Sequence, residues 1–220
     1  MDTFAVSERD KTKWLLAGGV IGPILFVVVF LIEGWTREGY DPMRHFVSTL
    51  SLGEQGWQQI TNFLVTGILF IAGAVGLRRA IRDGPGSRWG PILIGTAGLG
   101  VFLAGVFVTD PAMGYPPGSP AGLPSTSSWH GAIHNVVSLL VFAGLPIATF
   151  VVARRFRGDG SLWALYSVAT GVAMLIGTVL MFVAFQDWIG LFQRIVIILG
   201  FGWVSLLCLR FRREVSTAGS

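Results

Sequence analysis

Charge is what this sequence has least of. Only 13% of its 220 residues are Asp, Glu, Lys or Arg, against 52% hydrophobic. A soluble domain carries about 25% charged residues to cover its surface, so a soluble fold is excluded at the outset. A single cysteine, Cys208, rules out an internal disulfide. A recognisable leader is missing too: residues 1–13 hold six charges, and the apolar stretch after them is longer than a signal-peptide core and has no small-residue cleavage site. The first apolar segment is therefore expected to stay as an anchor.

What is present is long apolar sequence, with a mean hydropathy of +0.67. Uncharged runs cover 14–32, 57–77, 89–109, 129–153 and 160–186, and 188–209 is interrupted only by Arg194. Each is long enough to cross about 30 Å of hydrocarbon as a helix. The expected fold is all-α: a polytopic membrane protein, one six-helix transmembrane bundle of three hairpins. Its helices are expected at about 14–33, 57–79, 89–109, 129–153, 162–184 and 188–209. Thirteen of the sixteen basic residues precede the first helix, join the second to the third or the fourth to the fifth, or follow the sixth. The rule that cytoplasmic loops carry the Lys/Arg excess then puts both termini in the cytoplasm. Trp14, Trp89, Trp163 and Trp203 fall near one set of helix ends and Trp35, Trp57, Trp129 and Trp188 near the other, as interfacial belts require. The net charge of +4 follows from this topology and gives no reason to expect nucleic acid as a partner; the expected partner is the lipid bilayer.

Two outer loops stand out. In "YDPMRHFVSTLSLG", Asp41 can cap a helix with Pro42 in its first turn and Gly53 at its end. Met43, Phe46, Val47 and Leu50 recur at helical spacing, which predicts a short interfacial helix over about 42–52. The second loop, "DPAMGYPPGSPAGLPSTSS", carries five of the ten prolines and no basic residue, and reads as a stiff irregular lid.

All three histidines (His45, His130 and His134) fall in the outer half, with Glu33, Asp41, Arg44, Asp110, Asp187 and Arg194. In "WHGAIHN", His130 and His134 share one helix face, with His134 about 6 Å deeper. That spacing lets two imidazoles hold one zinc ion, with His45 or a carboxylate as third ligand and Asp110 or Asp187 as base. The catalytic Glu of His-Glu-x-x-His is replaced here by Gly131. The plainer alternative is that His130 is interfacial and His134 hydrogen-bonds a neighbouring helix. Asp110 ends the third helix close to the start of the fourth, where it can orient an imidazole or ligate a metal. Arg194, about 9 Å into the last helix, needs a partner: either an ion pair with Asp187, Glu33 or Asp110, or a bound anion such as a lipid phosphate.

Taken together, "GYDPMRHFVSTLSLG", "VFVTDPAMGYPPGSP" and "WHGAIHN" resemble a bacterial integral-membrane family, domain of unknown function 998, over nearly the whole chain. The resemblance implies a multi-pass protein of the bacterial plasma membrane with its polar motifs in outer loops, and no established activity. A more distant similarity is to the alkaline ceramidases and adiponectin-receptor-like transmembrane hydrolases. It implies a catalytic set of Ser48 and Asp110 with zinc held by His45, His130 and His134, although this chain has six helices rather than seven and Ser48 follows its histidine. Two functions are therefore expected. One is a zinc-dependent hydrolase of a lipid-like amide or ester. The other is a non-enzymatic membrane protein that binds a lipid headgroup or small ligand at the outer face, with Arg194 and Asp187 at the anion site.

Overall fold

The computed structural model describes residues 3–159, 162–183 and 186–217. Seven α-helices follow in order: α1 (Thr3–Thr36), α2 (Gly56–Ala80), α3 (Trp89–Val106), α4 (Trp129–Phe142), α5 (Gly144–Ala153), α6 (Leu162–Val183) and α7 (Ile189–Thr217). Six segments are long and apolar enough to span a membrane, with α4, α5 and the turn after them forming one, Trp129–Arg157. The chain is an all-helical, multi-pass membrane protein, with no strand beyond one isolated bridge between Ala112 and Tyr115 among the described residues.

α1 packs against α2 and α7, α2 against α3, α3 against α4 and α5, α5 against α6, and α6 against α7. The six spans thus close a ring in chain order. Lipid tails are as apolar as leucine, so close backbone approach and dispersion hold such helices together. A Cβ on Gly73 would lie 2.5 Å from the Cα of Gly19, and one on Gly19 would lie 2.5 Å from the Sγ of Cys208. This three-way contact fixes α1, α2 and α7 together. Above it, Phe26, Phe63, Phe70 and Phe201 pack ring on ring, with centroids 4.7–5.2 Å apart.

Helix ends differ from the apolar runs for physical reasons. α1 and α7 continue past the hydrocarbon, where charged residues pair along the helix: Lys11 with Glu8 at 2.8 Å and Arg210 with Glu214 at 3.0 Å. α3 stops at Val106, short of the expected 109, because Phe107 turns extended ahead of Pro111. The expected 129–153 helix breaks at Ala143. Pro146 has no N–H to donate to the carbonyl of Phe142, four residues back, and its ring crowds that carbonyl. The expected end of the fifth span at 184 lies outside the described residues.

The continuous interfacial helix expected over 42–52 is not formed. Residues 41–45 make a hydrogen-bonded turn, and only Val47–Ser51 are helical, as a 3-10 turn. All five of its residues are buried, wedged among α1, α2 and α7. Arg37 explains the compact path: its guanidinium donates to the carbonyls of Leu50 (3.1 Å), Leu52 (3.4 Å) and Gln55 (3.2 Å), gathering the loop beneath the end of α1.

Candidate functional site

The end of α3 sets the geometry around the histidines. The last carbonyls of a helix have no partner within it, and in a membrane each must find one elsewhere. His134 Nδ1 lies 3.2 Å from the carbonyl oxygen of Ala104 and 2.8 Å from that of Phe107, and His130 Nδ1 lies 2.8 Å from that of Val108. Carbonyls only accept, so both Nδ1 atoms carry the proton and donate. The i, i+4 pair on α4 is an external cap for α3, and the hydrogen bond to a neighbouring helix is the role the geometry supports for His134.

Asp110 completes the junction. Its carboxylate accepts from the backbone N–H of Ser128 at 2.9 Å and from the Ser128 hydroxyl at 2.5 Å, while the Ser128 oxygen accepts from the Gly131 N–H at 3.1 Å. Ser128 is thus the N-cap of α4, and Asp110 holds it. This also accounts for glycine at 131: a Cβ there would strike the Asp110 carboxylate. A glutamate at that position, as in the metalloprotease motif, has no room.

His45 is used differently. Its Nδ1 accepts the N–H of Asp41 at 2.9 Å, so its Nε2 carries the proton and donates to the carbonyl of Met113 at 3.1 Å. Both nitrogens are spent, Nδ1 within the first loop and Nε2 joining it to the second. Burial pushes its pKa below the ordinary 6.5, against the Met113 carbonyl, which favours the charged form. Met113 adopts φ 59°, a left-handed conformation costing a non-glycine residue about 1–2 kcal/mol. The contacts offsetting it are the His45 bond and packing beside Met181 and Ile189. The second loop is a folded lid: Met113 also donates to the carbonyl of Gly122 at 2.9 Å, and the ring of Tyr115 stands 5.1 Å from Tyr40.

Arg194 pairs with none of the three acids expected. Its Nη1 donates to the carbonyls of His45 (2.9 Å) and Gly190 (3.0 Å), its Nη2 donates to the Tyr40 hydroxyl, and its guanidinium lies over the rings of Tyr40 and Phe30. Burial pushes the Tyr40 phenol up to about 12, against Arg194, so it stays neutral and directs its proton to the carbonyl of Phe46, 2.9 Å away. Glu33 instead pairs with Arg37 at 3.3 Å, both side chains nearly buried, and Asp187 reaches only Arg44, at 3.8 Å and exposed. Arg194 and Asp187 are therefore not brought together as an anion site.

The residues do not fit a zinc centre either. His45 has no free nitrogen, and His130 and His134 each use one on α3. Among the described residues no group of three or more His, Cys, Asp or Glu stands where it could hold a metal ion.

What the structure does bring together is a cavity of about 540 Å³ among α4, α6, α7 and the lid. The kink at Ala143 opens it: of the two halves of that span, α5 packs against α6 while α4 leans away. Its inner end is polar. Ser48, His134 and Gln193 border it, each at least nine-tenths buried. Gln193 Oε1 accepts the Val47 N–H at 2.7 Å, which leaves its amide nitrogen without a protein partner. The Ser48 hydroxyl and His134 Nε2 are likewise unpaired, and the Thr178 hydroxyl in the wall is buried with no partner. Asp110 also borders the cavity. Beneath it, Ser48, His134, Ser138 and Gln193 border a pocket of about 40 Å³, enough for a water molecule. Exposed apolar side chains border the larger cavity as well, among them Leu139 (61% exposed) and Phe182 (71% exposed) on the outer surface of the spans.

Sequence reasoning missed Gln193 and Thr178. Gln193 left a signal, since a carboxamide inside an apolar span is costly and tends to mark function. Thr178 left none, because a hydroxyl in a helix can satisfy itself on its own backbone.

Six apolar spans with a cavity among α4, α6, α7 and the lid define the class: a multi-pass integral membrane protein with a cavity between its helices. The family model described as protein of unknown function (DUF998) matches residues 20–210, and the chain belongs to that family. No curated protein and no solved structure matches it.

Proposed function

We propose that this protein binds an amphiphile from the bilayer in the cavity among α4, α6 and α7. The polar head would lie against Ser48, His134, Gln193 and Thr178, and the chain would leave between Leu139 and Phe182. One observation carries this proposal: unpartnered polar groups of buried residues border a cavity that exposed apolar side chains also border. Its volume falls within the roughly 300–1,000 Å³ typical of small-molecule sites, and leaving buried polar atoms unmatched costs about 1–3 kcal/mol each. In the orientation supported by the arginines at the opposite end, with both termini cytoplasmic, the cavity opens to the outer leaflet of the plasma membrane. Hydrolysis of a lipid-like amide or ester is less well supported, since Ser48 and His134 border the same cavity with no hydrogen bond between them.

The test is purification in mild detergent, followed by extraction and mass spectrometry of retained amphiphiles. Wild type should retain a stoichiometric species that Ser138→Phe, which puts an aromatic ring on the shared border of both cavities, loses. An identical retained set in the two proteins would refute binding at this site.

A further inference from the structure

The cavity has a sign. Of the residues bordering it, Asp110 alone is charged, and no basic side chain pairs with it. Two basic residues of the outer half are engaged elsewhere: Arg194 with Tyr40 and two carbonyls, and Arg44 with Asp187 and the carbonyl of Ala121. An anionic headgroup would ordinarily be received by the free N–H groups at a helix N-terminus. At α4 the Ser128 oxygen takes the Gly131 N–H and the Asp110 carboxylate stands at the same helix end, bound to Ser128, where its charge opposes an anion. The imidazole of His134 adds a second acceptor, because its proton is committed to the carbonyls of α3 and its Nε2 is left as a lone pair. The free donors, Ser48, Thr178 and the Gln193 amide, carry no charge.

We infer that the ligand is an amphiphile with a protonated amine head, and that phosphate- and carboxylate-headed chains are excluded. This rests on the amphiphile-binding function proposed above. In it the ammonium donates toward Asp110 and His134 Nε2, and a hydroxyl on the same head would meet Ser48, Gln193 and Thr178. A carboxylate head would instead face Asp110 across a site with a low local dielectric, where like charges repel strongly.

The experiment is native mass spectrometry of the full chain released from micelles, with dodecylamine, dodecan-1-ol and dodecanoate competing at equal concentration. The amine should be bound over the carboxylate by about tenfold or more, with the alcohol between them. Asp110→Asn should flatten that order. Thr178→Val, which is isosteric and leaves the Ser128 cap intact, should lower binding of the alcohol and keep the amine above the carboxylate. Since Asp110→Asn also weakens the cap of α4, the order in the wild type decides by itself. Equal binding of amine and carboxylate, or preference for the carboxylate, would overturn the charge selection and leave the cavity function standing. Binding of none of the three, or binding unchanged by Ser138→Phe, would overturn the cavity function beneath it.

Discussion

Replacing His134 separates its service to α3 from any role as a ligand or base. His134→Phe exchanges the five-membered imidazole for a somewhat larger aromatic ring and removes both nitrogens. The carbonyls of Ala104 and Phe107, now 3.2 and 2.8 Å from Nδ1, then lose their side-chain donor. A buried acceptor left unmatched costs about 1–3 kcal/mol, whereas hydrogen bonds between membrane helices average about 0.6 and reach about 1.7 kcal/mol. Two carbonyls sharing one donor therefore predict a loss of roughly 1–3 kcal/mol. His134→Asn places an amide N–H near the position of Nδ1 and should recover most of it. The assay is unfolding in mixed micelles by titration with a denaturing detergent, followed by circular dichroism. A His134→Phe protein as stable as wild type would refute the cap, and so would His134→Asn as unstable as His134→Phe.

Gly131→Ala should destabilise the same junction by about 1–3 kcal/mol, since the new methyl meets the Asp110 carboxylate. In an Asp110→Ala background the added cost should nearly vanish, and additive losses in that double-mutant cycle would contradict the contact. Tyr40→Phe removes the acceptor for Arg194 Nη2 and should cost about 1–3 kcal/mol in the same titration, with Arg194 still held by two carbonyls. His45 adds a pH dependence whose sign follows from its lowered pKa. Below about 6.5 the unfolded state binds the proton first, so stability is full above that value and falls as pH drops through the folded pKa. Thermal unfolding between pH 7 and 5 should show the fall in wild type and a smaller one in His45→Gln; equal slopes would locate the titrating group elsewhere.

The spans were legible because hydrocarbon thickness imposes a length that any uncharged run reveals, and the two histidines were placed on one face because helical spacing is fixed. Where they pointed was not legible. That depends on α3 unwinding after Val106, a tertiary event driven by the extended backbone before Pro111 and completed by the histidines themselves. The fate of Arg194 was hidden for a related reason: sequence suggests charges as partners for a charge, whereas a folded loop offers carbonyls and a phenol in better positions. In the 42–52 segment the periodicity was real, but Arg37 gathers the carbonyls of Leu50 and Leu52 and draws the chain inward. The cavity could not be read from sequence, because a gap between helices has no residue of its own.

Pro146 gives that gap its access. By withdrawing one hydrogen bond from the middle of a span, it lets the inner half lie on α6 while the outer half stays with α3. Leu139 and Phe182, both exposed, stand on the gap's border at the side of the bundle. In the proposed binding mode a molecule would enter from within the leaflet, and the proline-rich lid, tied down through Met113 and His45, would stay shut throughout.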